Sequence, residues 1–188
     1  MSDKKFINDY LNDFIELLKP NNDSIEDLIR VRDTLLKVSS NQKKVLIFGN
    51  GGSAAIASHF SVDLTKNAKL RCLNLNEASL ITCFANDYGF DHWVEKAVDY
   101  YGDQGDLLIV ISSSGQSQNM INAVKAARKG NFYSVITFSG FSEDNPLKKL
   151  GDINLWVNDK SYNFVENIHQ IWLLAINDLV IGKREYLS

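Results

Sequence analysis

The segment Lys44-Val45-Leu46-Ile47-Phe48-Gly49-Asn50-Gly51-Gly52-Ser53 joins a short apolar run to a glycine-rich turn. A second segment has the same plan, with the apolar run 107–111 followed by the turn Ser112-Ser113-Ser114-Gly115-Gln116-Ser117. Short apolar runs that end at turns indicate strands buried on both faces, as in a parallel sheet covered by helices. Parallel strands need helical crossovers, so these two segments predict an α/β fold.

Helical patterns alternate with further apolar runs on both sides of these segments. The predicted strands cover residues 44–48, 70–75, 106–112, 132–138 and 153–157. The predicted helices cover residues 53–66, 77–84, 90–101, 118–128 and 163–181, and two more precede the first strand, one over 6–18 ended by Pro20 and one capped by Asp23 and Ser24. We therefore predict a single domain over residues 1–188, with N-terminal helices in 1–40 and the sheet core and C-terminal helix in 41–188.

Composition excludes several classes of protein. Of the 188 residues, 45% are hydrophobic and 23% are charged, which is typical of a folded globular chain. The formal net charge of -3 argues against a nucleic-acid partner, which would need a large basic surface. Because no apolar run has the length of a signal peptide or a membrane span, we expect no membrane association and a cytoplasmic location. Cys72 and Cys83 form no Cys-x-x-Cys pair, which argues against a thiolate zinc site.

The two turns are candidates for a phosphate site. In an open parallel sheet, ligands bind beyond the carboxyl ends of the strands, where both turns are expected to lie. Serine hydroxyls, free backbone N–H groups and helix N-termini can together hold a phosphate without lysine or arginine. Taken alone, the glycine turn could be a tight connection and the serine turn a helix cap. Neither turn matches a P-loop or a Gly-x-Gly-x-x-Gly dinucleotide motif. Their matching positions favour the phosphate hypothesis.

Four segments together resemble the sugar isomerase (SIS) domain family, in particular its phosphoheptose isomerase branch. They are Phe48 to Ala55, His59-Phe60, Ala85-Asn86-Asp87-Tyr88-Gly89-Phe90 and Gly105 to Ser117. The resemblance implies a flavodoxin-like sheet of five parallel strands, a homotetramer with sites built between subunits, and a phosphorylated sugar as substrate. It also implies the isomerisation of sedoheptulose 7-phosphate to D-glycero-manno-heptose 7-phosphate through an enediol, for lipopolysaccharide or capsule synthesis.

Candidate site residues follow from this resemblance and from helical spacing. His59 and Asp63 are four residues apart and share a helix face, as do Glu166 and Gln170. Asp63 and Glu166 are the predicted catalytic pair, because isomerisation needs acid–base groups near two neighbouring carbons. The predicted substrate-binding residues are Asn50, Gly51, Ser53, His59, Asp87, Ser112, Ser113, Ser114, Ser117 and His169, with the serines holding the phosphate.

The chain departs from the pattern of the branch it resembles. The branch has a catalytic Glu where Asp63 stands, a Gln where Glu166 stands, and a catalytic His where Leu174 stands. One interpretation is an isomerase in which Asp63 and Glu166 share the proton transfers, assisted by His59 or His169. The alternative is a non-catalytic sugar-phosphate-binding or regulatory protein, similar to the member of this branch that associates with the initiator DnaA. No cofactor is required, although some members bind zinc, for which His59, Asp63 and Glu166 would be the ligands here.

Overall fold

A computed structural model describes residues 1–19 and 21–184 of the chain. In this part, five strands form one parallel sheet: β1 (Val45–Gly49), β2 (Cys72–Leu73), β3 (Leu107–Ser112), β4 (Ser134–Ser139) and β5 (Ile153–Trp156). The helices are α1 (Asp3–Leu18), α2 (Asn22–Ser40), α3 (Gly52–Lys66), α4 (Ala78–Tyr88), α5 (Trp93–Tyr101), α6 (Gln118–Lys129) and α7 (Tyr162–Ile181). The predicted five-stranded α/β architecture is therefore confirmed.

The strand order places the two polar turns side by side. The order is β2-β1-β3-β4-β5, which is the flavodoxin-like order, and every neighbouring pair is parallel. Strand β1 pairs directly with β3, so that Gly49 lies opposite Ile111 at the carboxyl end of the pair. The turns that follow these strands therefore leave the same edge of the sheet, at the point where the strand order reverses.

Two hydrophobic cores lie on opposite faces of the sheet. Ile47 of β1 belongs to the core that α2, α3 and α7 cover, together with Phe60 and Leu173. The next residue, Phe48, points to the opposite core beneath α5 and α6, where its ring meets Trp93 edge-on at 5.9 Å. Burying each of these large side chains contributes about 1.5–3 kcal/mol, so both faces hold the strand ends rigidly in place.

Several element boundaries differ from the sequence predictions. Strand β2 was predicted over residues 70–75 but pairs with β1 only at Cys72 and Leu73. It is shorter because the backbone N–H of Leu70 donates to α3 instead of to the sheet. Helix α4 continues through the turn predicted at residues 86–89 and ends at Gly89, whose φ of 86° favours glycine. The following helix begins at Trp93 rather than residue 90, after a turn in which the N–H of residue 92 donates to the Gly89 carbonyl.

The N-terminal helices lie on the side of α7. Helix α2 is capped by the side chain of Asn21 rather than by Asp23 and Ser24, and Pro20 lies outside the described residues. The rings of Tyr10 and Phe14 pack edge-on against Phe164 of α7, with centroid distances of 4.6 and 5.6 Å. Helix α1 also exposes the large apolar side chains Phe6, Ile7, Leu11 and Ile15. In the part of the chain that the structure describes, no helix is long and apolar enough to cross a bilayer.

Candidate active site

A cavity of about 280 Å³ opens at the carboxyl ends of β1 and β3. It is lined by Asn50, Gly51, Gly52, Ser53, Ile111, Ser112, Ser113, Ser114, Ser117, Tyr162 and Glu166. The predicted phosphate-holding serines and the predicted catalytic Glu166 thus line one space. A larger cavity of about 550 Å³ lies between the α1–α2 corner and β5 and contains none of the predicted site residues.

The glycine turn brings the start of α3 close to the sheet. A Cβ atom on Gly49 would lie 2.6 Å from the backbone of Ser53, so the strand can turn into the helix only with glycine there. Gly51 has a φ of 53° and takes the N-cap position of α3 without a side-chain capping bond. The first N–H groups of α3 therefore remain free at the cavity, as a ligand anion would require.

The serine turn offers several hydroxyl groups to the same cavity. The hydroxyls of Ser112 and Ser117 are hydrogen-bonded at 2.9 Å, and Ser114 Oγ accepts from the N–H of Gln116. Ser113 is only 4% exposed, and within the described residues its hydroxyl has no hydrogen-bond partner. A buried hydroxyl without a partner is costly, which makes this atom a candidate hydrogen-bond donor to a ligand at the turn.

Two asparagines that were not predicted hold these turns in place. Asn119 of α6 exchanges two side-chain hydrogen bonds with Asn50, at 2.9 and 3.0 Å, and thereby ties the serine-turn helix to the glycine turn. Asn145 is buried and donates to Ser139 Oγ and two carbonyls in the turn that follows β4. A Cβ on Gly115, whose φ is 66°, would collide with the Asn145 side chain. No sequence motif marks either asparagine, because their partners are brought to them only by folding.

The electrostatics of the cavity depend on helix ends rather than on basic side chains. Among the described residues, no lysine or arginine lines it, and Glu166 is its single ionisable carboxylate. Helices α3, α6 and α7 all begin at its wall, and their N-termini favour a bound anion. The Glu166 carboxyl group lies against Gly52 at the start of α3, and partial burial raises its pKa above the usual range.

The other predicted catalytic residue, Asp63, lies further along the contact between α3 and α7. Its Oδ2 atom is 3.3 Å from Nε2 of His59, and Asn67 donates to its other oxygen. The side-chain amide of Gln170 meets Nδ1 of His59 at 2.8 Å. A neutral His59 with its proton on Nε2 satisfies both neighbours, since Nδ1 then accepts from Gln170. His59 follows Gly52 by seven residues, which places it about 10 Å down α3 from the cavity floor.

Three predicted substrate contacts do not line the cavity of this subunit, and the first is His59, which lies further along α3. The prediction for His169 requires correction: its ring is completely buried, donates from Nε2 to the Ser139 carbonyl, and packs edge-on against Phe138. Burial lowers the pKa of His169 to about 4. Asp87 is exposed on α4, where Asn86 donates to it, and it does not line the cavity.

The side chains predicted as zinc ligands do not assemble into a metal site. Zinc requires three or four N, O or S donors at about 2.0–2.3 Å. His59 and Asp63 approach each other, but Gln170 engages His59 Nδ1, Glu166 lies at the start of α3, and Leu174 carries no donor atom. In the part of the chain that the structure describes, no three His, Cys, Asp or Glu side chains are grouped to hold a metal ion. The donor set of one subunit therefore does not fit zinc.

The fold and the cavity together define a class: flavodoxin-like α/β proteins that bind a ligand at the strand ends through hydroxyls and helix N-termini. The family model described as SIS domain matches residues 8–140, and the chain belongs to this family. A curated phosphoheptose isomerase from Fusobacterium nucleatum is 36% identical over 153 residues, which span 78% of this chain and 77% of that protein.

Two solved structures show the same fold along almost the whole chain. The phosphoheptose isomerase GmhA from Neisseria gonorrhoeae has a TM-score of 0.88 and 30% identity, covering 96% of this chain and 100% of that one. A phosphoheptose isomerase from Francisella tularensis has a TM-score of 0.87 and 27% identity, covering 97% and 100%. The expected family and its flavodoxin-like fold are thereby confirmed.

Proposed function

We propose that the protein is a phosphosugar isomerase that interconverts sedoheptulose 7-phosphate and D-glycero-manno-heptose 7-phosphate. Two curated relatives at 36% identity over more than two thirds of this chain, and a solved structure at 30% identity, carry the name phosphoheptose isomerase, which supports the heptose phosphate as substrate. The observation that carries the proposal is the cavity itself. It combines a hydroxyl-lined turn, free helix N-termini and a carboxyl group with a raised pKa in one space.

The phosphate group would bind at the serine turn. Ser112, Ser113, Ser114 and Ser117 line the cavity, and the partnerless Ser113 hydroxyl would donate to a phosphate oxygen. The N-termini of α3 and α6 supply backbone donors and a favourable potential for the dianion. Because the described lining contains no lysine or arginine, hydroxyls and backbone N–H groups would supply the donors to the phosphate.

The acid–base chemistry would use the carboxylates of two neighbouring helices. An aldose–ketose isomerase removes a proton from the carbon next to the carbonyl, forms an enediol, and returns a proton to the former carbonyl carbon. Glu166 suits the carbon-to-carbon transfer, because its raised pKa makes the carboxylate a stronger base. Asp63 lies four residues beyond His59, more than about 10 Å from Gly52 along α3. It would therefore move the proton between the two oxygens only from a neighbouring subunit of the proposed tetramer. Because the donor set does not fit zinc, no step is assigned to a metal.

Solvent exchange tests this function directly. The purified protein is mixed with sedoheptulose 7-phosphate in D2O, and deuterium entering the sugar is followed by NMR. We expect incorporation in the wild type and a loss of about a hundredfold or more in Asp63→Asn and Glu166→Gln. Glu143→Gln is the matched control, because Glu143 lies outside this cavity. Wild-type exchange in both site variants would refute the residue roles, and no exchange in the wild type would refute the isomerase.

A second candidate function is a non-catalytic sugar-phosphate-binding or regulatory protein. The observation that favours it is the helix face of α7 beyond the cavity. Leu174 offers no acid or base there, and the amide of Gln170 engages His59. Binding of the sugar phosphate without any deuterium exchange would establish this alternative in place of the isomerase.

We also propose a homotetramer with sites between subunits, located in the cytoplasm and serving lipopolysaccharide or capsule synthesis. In a single subunit taken alone, α1 and α4 contain no buried residue, and α1 exposes several large apolar side chains. Such faces are typical of subunit contacts. Asp87 on α4 would then reach the cavity of a neighbouring subunit. Residues 1–188 would act as one SIS domain, with residues 1–40 adding the helices for assembly. Light scattering of the purified protein measures the oligomeric state.

A further inference from the structure

The rim of the cavity carries a tyrosine that neither the sequence motifs nor the proposed chemistry uses. Tyr162 is the first residue of α7, and its side chain lines the cavity while remaining 57% exposed. Glu166 follows it by four residues, so the two side chains lie one above the other on the same helix face, about 5–6 Å apart. A ligand whose reacting carbons lie at Glu166 would therefore have the ring of Tyr162 beside it.

The ring is held by the same segment that supports the serine turn. Phe141 meets Tyr162 edge-on, with centroids 4.9 Å apart and an interplanar angle of 66°. Phe141 has a φ of 59°, and its N–H donates to the carbonyl of Asp159 at 2.8 Å. The preceding residue, Gly140, donates to the carbonyl of Ser113 at 2.9 Å. The aromatic pair and the serine turn are thus parts of one braced structure, so the ring is positioned before any ligand binds.

We propose that Tyr162 is a specificity-determining residue that packs its ring against the C–H groups of the bound sugar chain. This inference rests on the proposed function, since the phosphate must bind at the serine turn. An aromatic ring has a negative face that attracts the slightly positive C–H hydrogens of a sugar, and it buries much apolar surface at small cost in conformational entropy. The exposed part of the ring is available for this contact without rearrangement. Tyr162 therefore distinguishes a sugar phosphate from phosphate alone.

Calorimetric titration with two ligands tests the inference. Sedoheptulose 7-phosphate engages both the serine turn and the ring, whereas inorganic phosphate engages only the turn. We expect Tyr162→Ala to bind the sugar phosphate about three- to tenfold more weakly and inorganic phosphate unchanged. Tyr162→Phe keeps the ring and should bind both ligands like the wild type. Tyr133→Ala is the matched control, because Tyr133 is 51% exposed at the opposite, amino-terminal edge of the sheet.

Each other outcome overturns the inference in a recognisable way. Unchanged sugar-phosphate binding by Tyr162→Ala means that the ring makes no contact. Equal weakening of both ligands means that the ring acts on the serine turn, and a matching loss in Tyr162→Phe means that the hydroxyl binds the phosphate. If the wild type binds inorganic phosphate but no sugar phosphate, both the proposed function and the inference are refuted. If only the Tyr162 variants behave unexpectedly, the proposed function stands and the inference alone falls.

Discussion

Replacing Gly52 with alanine should move the carboxyl group of Glu166 without harming the fold. Gly52 is the first residue of α3 and has no positive φ, so its backbone conformation accepts alanine. Alanine is also the better helix former, by about 0.5–1 kcal/mol in a helix interior. The free energy of unfolding should therefore not fall, and any loss of activity must come from the displaced carboxyl group.

The magnitude follows from the space beside Gly52. A Cβ atom there would lie 2.6 Å from the carboxyl carbon of Glu166 and 2.8 Å from its Oε1 atom. Non-bonded carbon atoms rest about 3.5–4.0 Å apart, so the carboxyl group must retreat by about 1 Å. A misplacement of about 1 Å in an active site can cost about a hundredfold in rate. We therefore expect kcat to fall by about a hundredfold.

The assay is deuterium entry into sedoheptulose 7-phosphate, with urea unfolding measured on the same preparations. Gly130→Ala is the matched control, since Gly130 ends α6 and a Cβ there would have its nearest neighbours at 3.4 Å, an ordinary contact distance. A wild-type kcat for Gly52→Ala would refute the reasoning, because Glu166 would then act from another position or not at all. A large loss of unfolding free energy would refute the argument about the backbone.

Three further predictions concern residues around the cavity. Burial lowers the pKa of His169 to about 4, so its neutral ring contributes fully to stability above pH 6.5, and the free energy of unfolding falls by about 3 kcal/mol as the pH drops to 4. In urea unfolding, the free energy of unfolding of His169→Asn should depend less on pH than that of the wild type. The same pH dependence in both proteins would contradict this. Asn119→Ala should lower the free energy of unfolding by about 1–3 kcal/mol, because Asn50 loses both of its side-chain hydrogen bonds to Asn119. An unchanged free energy of unfolding would contradict this and show that water replaces these bonds. Gly115→Ala should weaken inorganic phosphate binding at least about tenfold by pushing the serine turn away from Asn145, as calorimetry would reveal.

The sheet could be predicted because its signal is local. The run Val45 to Phe48 is apolar throughout and ends at glycine, and that pattern alone is typical of a strand buried on both faces. Strand β2 was predicted too long, because an edge strand loses pairing residues to neighbouring contacts that the pattern does not contain. Helix α4 was ended too early at the Asn86 turn, because turn propensity is weak against the hydrogen bonds of a continuing helix.

The candidate site was predictable in part. Two strand-end turns of unusual composition, together with the rule for open parallel sheets, led to the serines that line the cavity. Glu166, which also lines it, was predicted from the resemblance to the SIS family and from helical spacing. The pairing of Asn50 with Asn119 was not predictable, since 69 residues separate them and each is an ordinary polar residue in isolation. His169 was misplaced for a related reason: one residue along a helix changes direction by about 100°, which is enough to turn a side chain from a cavity into the core.

Local sequence patterns established the class of fold, the parallel sheet and the two turns that line the cavity. These properties depend on residues that are neighbours in the chain, so periodicity and composition contain them. The position of Glu166 against Gly52, the link from Gln170 to His59 and the aromatic rim at Tyr162 became visible only in three dimensions. Each depends on how α7 packs against α3 and the serine turn, and packing joins residues more than a hundred positions apart through contacts that no local pattern specifies.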